Sequence, residues 1–145
     1  MNEIISLKQK RHQKELKYEK RMLRELSLAE IKTEIDTCFG GFSNIVKKPV
    51  IEDGCVDFAI ESFLLGAKYS KFGYLGESMN QVNKRCQIEE RQIIDEMFDY
   101  FLNFGKMNDQ NISFDEIYIA CEFYVHNWWK QGYLKGEKRY KLRLH

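Results

Sequence analysis

Asp57 and Glu61 stand four residues apart in a stretch otherwise built of Val, Phe, Ala, Ile, Ser and Leu. On a helix that spacing places both carboxylates on one face. Two carboxylates among apolar neighbours are the raw material of a metal site or a polar pocket. A buried, unpaired carboxylate is costly, so the pair must reach solvent, a cation or a hydrogen-bond network. The plainer reading is that they form the one wet face of an otherwise buried helix. Arg139 and His145 form a second candidate pair, separated by five residues. A histidine can exchange protons with a substrate while an arginine holds phosphate charge.

Other chemistry is less well supplied. Glu89, Glu90 and Asp95 could join Asp57 and Glu61 on facing helices, as in metal-dependent helical nucleotide pyrophosphatases, but the paired-Glu spacing of those enzymes is absent. A di-iron bundle asks for Glu-x-x-His on two helices; Glu122 and His126 are spaced four and occur once. A four-cysteine zinc site asks for two close pairs, whereas Cys38, Cys55, Cys86 and Cys121 are separated by 17, 31 and 35 positions. They read as reduced thiols packed in the interior. His126 reads as a structural histidine bonded to Glu122 or to a carbonyl. No Gly-rich phosphate loop or Gly-x-Ser-x-Gly elbow exists in the sequence. No metal and no cofactor is expected. The Arg139–His145 spacing is similar to the arginine-histidine spacing of helical HEPN-type ribonucleases, a resemblance that rests on those two residues alone.

Charge is sorted along the chain of 145 residues. Residues 1–26 carry eight Lys/Arg against four Glu, residues 27–134 carry ten against seventeen acids, and residues 135–145 carry five against one. Two basic ends therefore flank an acidic middle, and they either neutralise their own core or wait for an anionic partner. At the first end the cations are Lys8, Lys10, Arg11, Lys14, Lys17, Lys20, Arg21 and Arg24; at the second, Lys138, Arg139, Lys141 and Arg143 with Tyr140 between them. Such sets can hold phosphates or an acidic protein surface.

The elements that must position these residues are helices. Apolar content of 43% supports a core, and a single proline in the whole chain suits long helices with few breaks. The spacing predicts a basic helix over 7–26, then helices over 28–38, 53–69, 78–104 and 114–133, with Ser27–Glu30 and Ser113–Glu116 as capping boxes. The helix over 53–69 is apolar around most of its circumference and should be the most buried. From 135 to 145, Tyr140, Leu142 and Leu144 alternate with Lys141, Arg143 and His145, a period of two that predicts an extended basic tail laid on the core. The fold class is all-α: a single-domain bundle of four to five helices with an extended basic C-terminal tail. No apolar window approaches the roughly 18 residues of a membrane span, and the N-terminus lacks an apolar secretory core. A cytoplasmic location and no membrane partner are expected.

Three segments carry a likeness: Gly54-Cys55-Val56-Asp57-Phe58-Ala59-Ile60-Glu61, Phe72-Gly73-Tyr74-Leu75-Gly76-Glu77-Ser78 and Glu137-Lys138-Arg139-Tyr140-Lys141-Leu142-Arg143-Leu144-His145. With the length, they resemble the YbaK-type family of uncharacterised cytoplasmic proteins of Bacillus-type bacteria, unrelated to the tRNA-editing deacylase that shares the name. That family is of unknown function, so the resemblance implies no activity and assigns no site residues.

The residues themselves point to a non-enzymatic module acting by binding. The partner is another protein or a second copy of the chain, with nucleic acid held by the basic ends as the alternative and a HEPN-like ribonuclease using Arg139 and His145 behind it. Trp128 and Trp129 add to the first reading. Neighbours on a helix point about 100° apart, so one ring is expected to face a partner.

Overall fold

A computed structural model of the chain describes residues 2–42, 49–105 and 113–142. Among them the chain forms six α-helices and no strand: α1 (Asn2–Leu23), α2 (Leu28–Phe39), α3 (Pro49–Tyr74), α4 (Met79–Arg85), α5 (Gln87–Phe104) and α6 (Phe114–Lys141). A 3-10 turn over Gly40–Phe42 follows α2. The all-α expectation holds, and the count of four to five helices is corrected to six.

The spine of the fold is the pair α3 and α6. They run in the same direction: the Tyr124 hydroxyl donates to the Cys55 carbonyl at 2.7 Å, Gly132 lies on Phe63, and Gly136 lies on Ala67 and Ser70. Small residues make the approach possible. A Cβ on Gly66 would sit 1.9 Å from the Trp129 carbonyl oxygen, and one on Gly132 would sit 1.9 Å from the Phe63 carbonyl oxygen. Those carbonyls are backbone and cannot swing aside. Ser62 and Ser70, both fully buried, stay satisfied by donating to carbonyls of their own helix, Phe58 at 2.7 Å and Ala67 at 2.6 Å.

α5 returns antiparallel to α3, with Tyr69 bonded to Glu89 at one end and Tyr100 donating to the Val50 carbonyl at the other. The main core forms where α2, α3, α5 and α6 meet, around Phe39, Cys55, Phe63, Met97, Phe101, Tyr124 and Trp128. A smaller cluster of Leu65, Val82, Cys86, Trp129 and Tyr133 lies under α4. Among the described residues α1 joins through its end: Met22 is fully buried and Tyr18 packs against the core, while residues 7–17 are exposed throughout.

The boundaries differ from the sequence reading for physical reasons. Pro49 opens α3 instead of sitting in a loop, because the first turn needs no proline N–H. α3 runs through Gly73, and the chain turns only at Gly76, whose φ of 115° is a left-handed conformation that glycine adopts without strain. The expected helix over 78–104 is two helices, broken at Cys86 (φ −111°, ψ 19°). The Ser27 hydroxyl accepts from the Glu30 N–H at 3.3 Å, but Ser113 makes no side-chain cap. The extended tail is also corrected: α6 stays helical through Gly136 to Lys141, and 143–145 lie outside the described residues.

Candidate functional site

A groove of about 580 Å³ opens between α1, the last turns of α3 and the end of α6. Lys14, Lys17 and Arg21 reach it from α1, Lys68 and Lys71 from α3, with Glu15 and Glu19 beside them and Tyr18, Leu64 and Tyr140 completing the lining. Five cations against two carboxylates make the groove positive. Local sequence explains the placement. Lys14, Lys17 and Arg21 follow steps of three and four on α1, so they share a face. Lys68 and Lys71 stand where the apolar run of α3 gives way to its last turns. The tyrosines are already engaged. Tyr18 donates to the Ala67 carbonyl at 2.9 Å, and its ring centroid lies 6.2 Å from that of Tyr140. Tyr74 also stacks on Tyr140 at 5.9 Å. Burial pushes the hydroxyl pKa of Tyr18 up, so it stays a neutral donor.

The basic C-terminal segment is tied to its own molecule. Arg139 pairs with Glu25 at 3.2 Å, both side chains mostly covered, and Lys135 donates to the Glu25 carbonyl at 2.8 Å. Lys141 pairs with Glu137 at 3.2 Å, which also accepts from the Tyr133 hydroxyl at 3.0 Å. Lys138 is exposed. The end of α6 thus docks on the turn between α1 and α2, away from Asp57 and Glu61. Of the ribonuclease-like pair, Arg139 is occupied by Glu25, and His145, like Arg143, lies outside the described residues.

Asp57 and Glu61 are exposed on α3. Partial burial, then the charges of Glu96 and Asp57, push the Glu61 carboxyl above its ordinary value. The other carboxylates do not converge on this pair. Glu89 accepts from Tyr69, which pushes the tyrosine pKa up to about 12. Glu90 accepts from Asn83 at 2.9 Å and lies 3.4 Å from His126 Nδ1. Asp95 accepts from Tyr118 at 2.7 Å. Among the described residues no three His, Cys, Asp or Glu side chains are grouped to hold a metal ion.

His126 is corrected as to partner. Glu90, across the helix interface, takes the place expected of Glu122, which lies 3.5 Å from Arg91 instead. The Glu90 bond raises the histidine pKa, and the imidazole stacks on Trp129 at 5.9 Å. Cys55, Cys86 and Cys121 are buried and Cys38 is half-buried, all as free thiols. Burial pushes Cys38 and Cys55 up to about 12 and Cys86 up to about 11, and raises Cys121 further. Such thiols are poor nucleophiles at neutral pH. The tryptophan pair is corrected too. Trp128 is 4% exposed and Trp129 is fully buried, because each flank of α6 carries its own cluster. Trp128 enters the main core, and Trp129 the cluster under α4, where its Nε1–H donates to Cys86 Sγ at 3.0 Å.

The α1 cations stand out in the sequence, but Lys68, Lys71 and Tyr18 become their companions only in the fold. The available signal was two lysines three apart at the end of the most apolar helix. A second, more apolar groove of about 370 Å³ lies between α2 and α6, lined in part by Cys38, Phe42, Ile119 and Phe123. Among the described residues no helix is long and apolar enough to cross a membrane.

Comparison with known proteins agrees with the resemblance noted above. The chain is 36% identical to the uncharacterized protein YbaK of Bacillus subtilis (strain 168) over 148 aligned residues, covering 99% of each chain. No solved structure matches it. A family model described as "Protein of unknown function (DUF2521)" matches residues 1–145, and the chain belongs to that family.

Proposed function

We propose that this protein is a single-domain, non-enzymatic interaction module of the cytoplasm, and that its working surface is the cationic face of α1 with the groove behind it. The partner is an acidic protein surface. One observation carries the reading: five cations from two helices line one groove, and no ion pair within the described residues neutralises them. Uncompensated charge in one place destabilises the free protein slightly and steers an oppositely charged partner. Arg139 and Lys141, by contrast, pair within the molecule with Glu25 and Glu137.

Nucleic acid is the second reading, favoured by tyrosines interleaved with lysines. Base stacking needs free aromatic faces, whereas Tyr140 already stacks on Tyr74 and contacts Tyr18. Glu15 and Glu19 in the groove would also repel a phosphate backbone. These features favour a protein surface, whose own cations can answer the two glutamates.

Fluorescence anisotropy with a labelled oligoglutamate peptide and a labelled single-stranded RNA tests this. The peptide should bind at low salt, and Lys14→Glu, Lys17→Glu and Arg21→Glu together should weaken it by about tenfold or more, each 1.4 kcal/mol being a factor of ten. Circular dichroism should show the variant folded. Absence of peptide binding, or undiminished affinity in the variant, would overturn the proposal. RNA binding with a steep salt dependence and no peptide binding would put the nucleic-acid reading in its place.

A further inference from the structure

The acidic surface that α1 requires exists on this same chain. Asp53, Asp57 and Glu61 follow one another at steps of four along α3, all exposed, which spaces them about 6 Å apart. Glu96 of α5, also exposed, lies close enough to Glu61 to raise its pKa. None of the four takes part in an ion pair among the described residues. On α1, Lys10, Lys14, Lys17 and Arg21 advance by four, three and four, and at about 100° per residue they fall within about 60° of one another. The two stripes are opposite in sign and comparable in reach, four cations over about 16.5 Å of α1 against three carboxylates over about 12 Å of α3.

Within one molecule no ion pair among the described residues joins the two stripes. Glu25, just past α1, contacts Lys135 and Arg139, while Tyr18 contacts Tyr140. α1 thus meets the body of the fold at the C-terminal parts of α3 and α6. Asp57 lies ten residues, about 15 Å of helix, on the N-terminal side of Ala67, the α3 residue that receives the Tyr18 hydroxyl. α1 therefore touches α3 at another level than the acidic stripe, and both exposed stripes are open to a neighbour.

We infer that the partner is a second copy of this chain: the basic face of α1 from each molecule lies along the Asp53–Asp57–Glu61 stripe of the other, with Glu96 at its edge. The inference rests on the acidic-partner reading above and names that partner. Reciprocal docking closes a two-fold dimer. Two contacts made by single helix faces give a small interface, below the roughly 1,200 Å² of standard stable complexes, so the dimer is weak and dissolves in salt.

A charge exchange tests it. One variant carries Lys10→Glu, Lys14→Glu and Lys17→Glu; a second carries Asp53→Lys, Asp57→Lys and Glu61→Lys. At low salt, light scattering of the wild type should show a mass rising with concentration toward twice the monomer, and falling back in 0.5 M NaCl (about 4 Å of screening length). Each variant alone should be monomeric and, by circular dichroism, helical. Mixed in equal amounts, they should recover the doubled mass, because each reversed stripe then meets an opposite one. A wild type that stays monomeric at every concentration would overturn the inference, as would folded variants that do not associate on mixing. A monomeric wild type that still binds oligoglutamate through α1 removes the second copy alone as partner. Loss of both removes the acidic-partner reading with it.

Discussion

The α3–α6 interface and the first half of α1 are built from opposite materials. Where α3 meets α6, glycines 66 and 132 let backbone lie against backbone, and Trp129 and Tyr124 are fully buried beside them. Along α1, residues 7–17 are exposed, Leu7 is 59% exposed, and charge dominates. The first region has no freedom to change and no surface to offer. The second adds little to the core, which α1 reaches through Tyr18 and Met22 farther along, so its composition is free to answer to something outside the molecule. Binding surface is therefore best sought where the chain is helical yet unburied.

That contrast can be broken most sharply in the first region. Gly132→Ala should destabilise by about 3 kcal/mol or more, since a methyl 1.9 Å from the Phe63 carbonyl oxygen must separate the helices. Gly41→Ala, with nothing within 4 Å of the new Cβ, should change stability by less than about 1 kcal/mol. Urea unfolding of both variants measures the difference, and equal losses would mean that the close approach is not what limits position 132.

The junction between the two regions comes next. Arg139→Ala should cost about 1–2 kcal/mol, because the pair with Glu25 is mostly covered but not sealed from water. A double-mutant cycle with Glu25→Ala should return most of that loss as coupling. Additive losses would show that the pair does not hold α1 in place.

The smallest effect is at His126. Its folded-state pKa is raised by Glu90 above the ordinary 6.5, so protonated His126 stabilises the fold. The contribution is complete below about pH 6.5 and is lost as pH rises through the raised value. Nearly half of the side chain is exposed, which holds the effect under about 1 kcal/mol. Thermal melts of wild type and His126→Gln across pH 5–9 should converge at the alkaline end. A gap that widens with rising pH would reverse the assigned sign.

Helix identity was legible in the sequence because apolar periodicity and the scarcity of proline speak directly to it. Asp57 and Glu61 were also legible as a wet face, since two carboxylates on an apolar helix have few alternatives. Glycine misled. Gly136 stood at the start of an expected extended tail, but it packs on Ala67 and Ser70 inside a longer helix, and residues 135–141 are the last turns of α6. The break at Cys86 left a trace in the sequence as a gap in the apolar stripe between Cys86 and Ile93. A gap of that kind does not distinguish a broken helix from an exposed turn. The tryptophan pair could not be placed because one core was assumed where α6 serves two. The groove was half-legible: α1 announced its lysines, while Lys68 and Lys71 joined them only through the docking of Tyr18 on Ala67.

Amide hydrogen exchange with and without oligoglutamate peptide addresses the central claim directly. In the free protein residues 7–17 should exchange far faster than residues 59–67 of α3 or 120–133 of α6. Adding peptide should slow exchange across residues 7–21 and leave the α3–α6 spine unchanged. If residues 7–17 are already as protected as the spine, or if the peptide protects some other face, α1 is not the working surface of this protein.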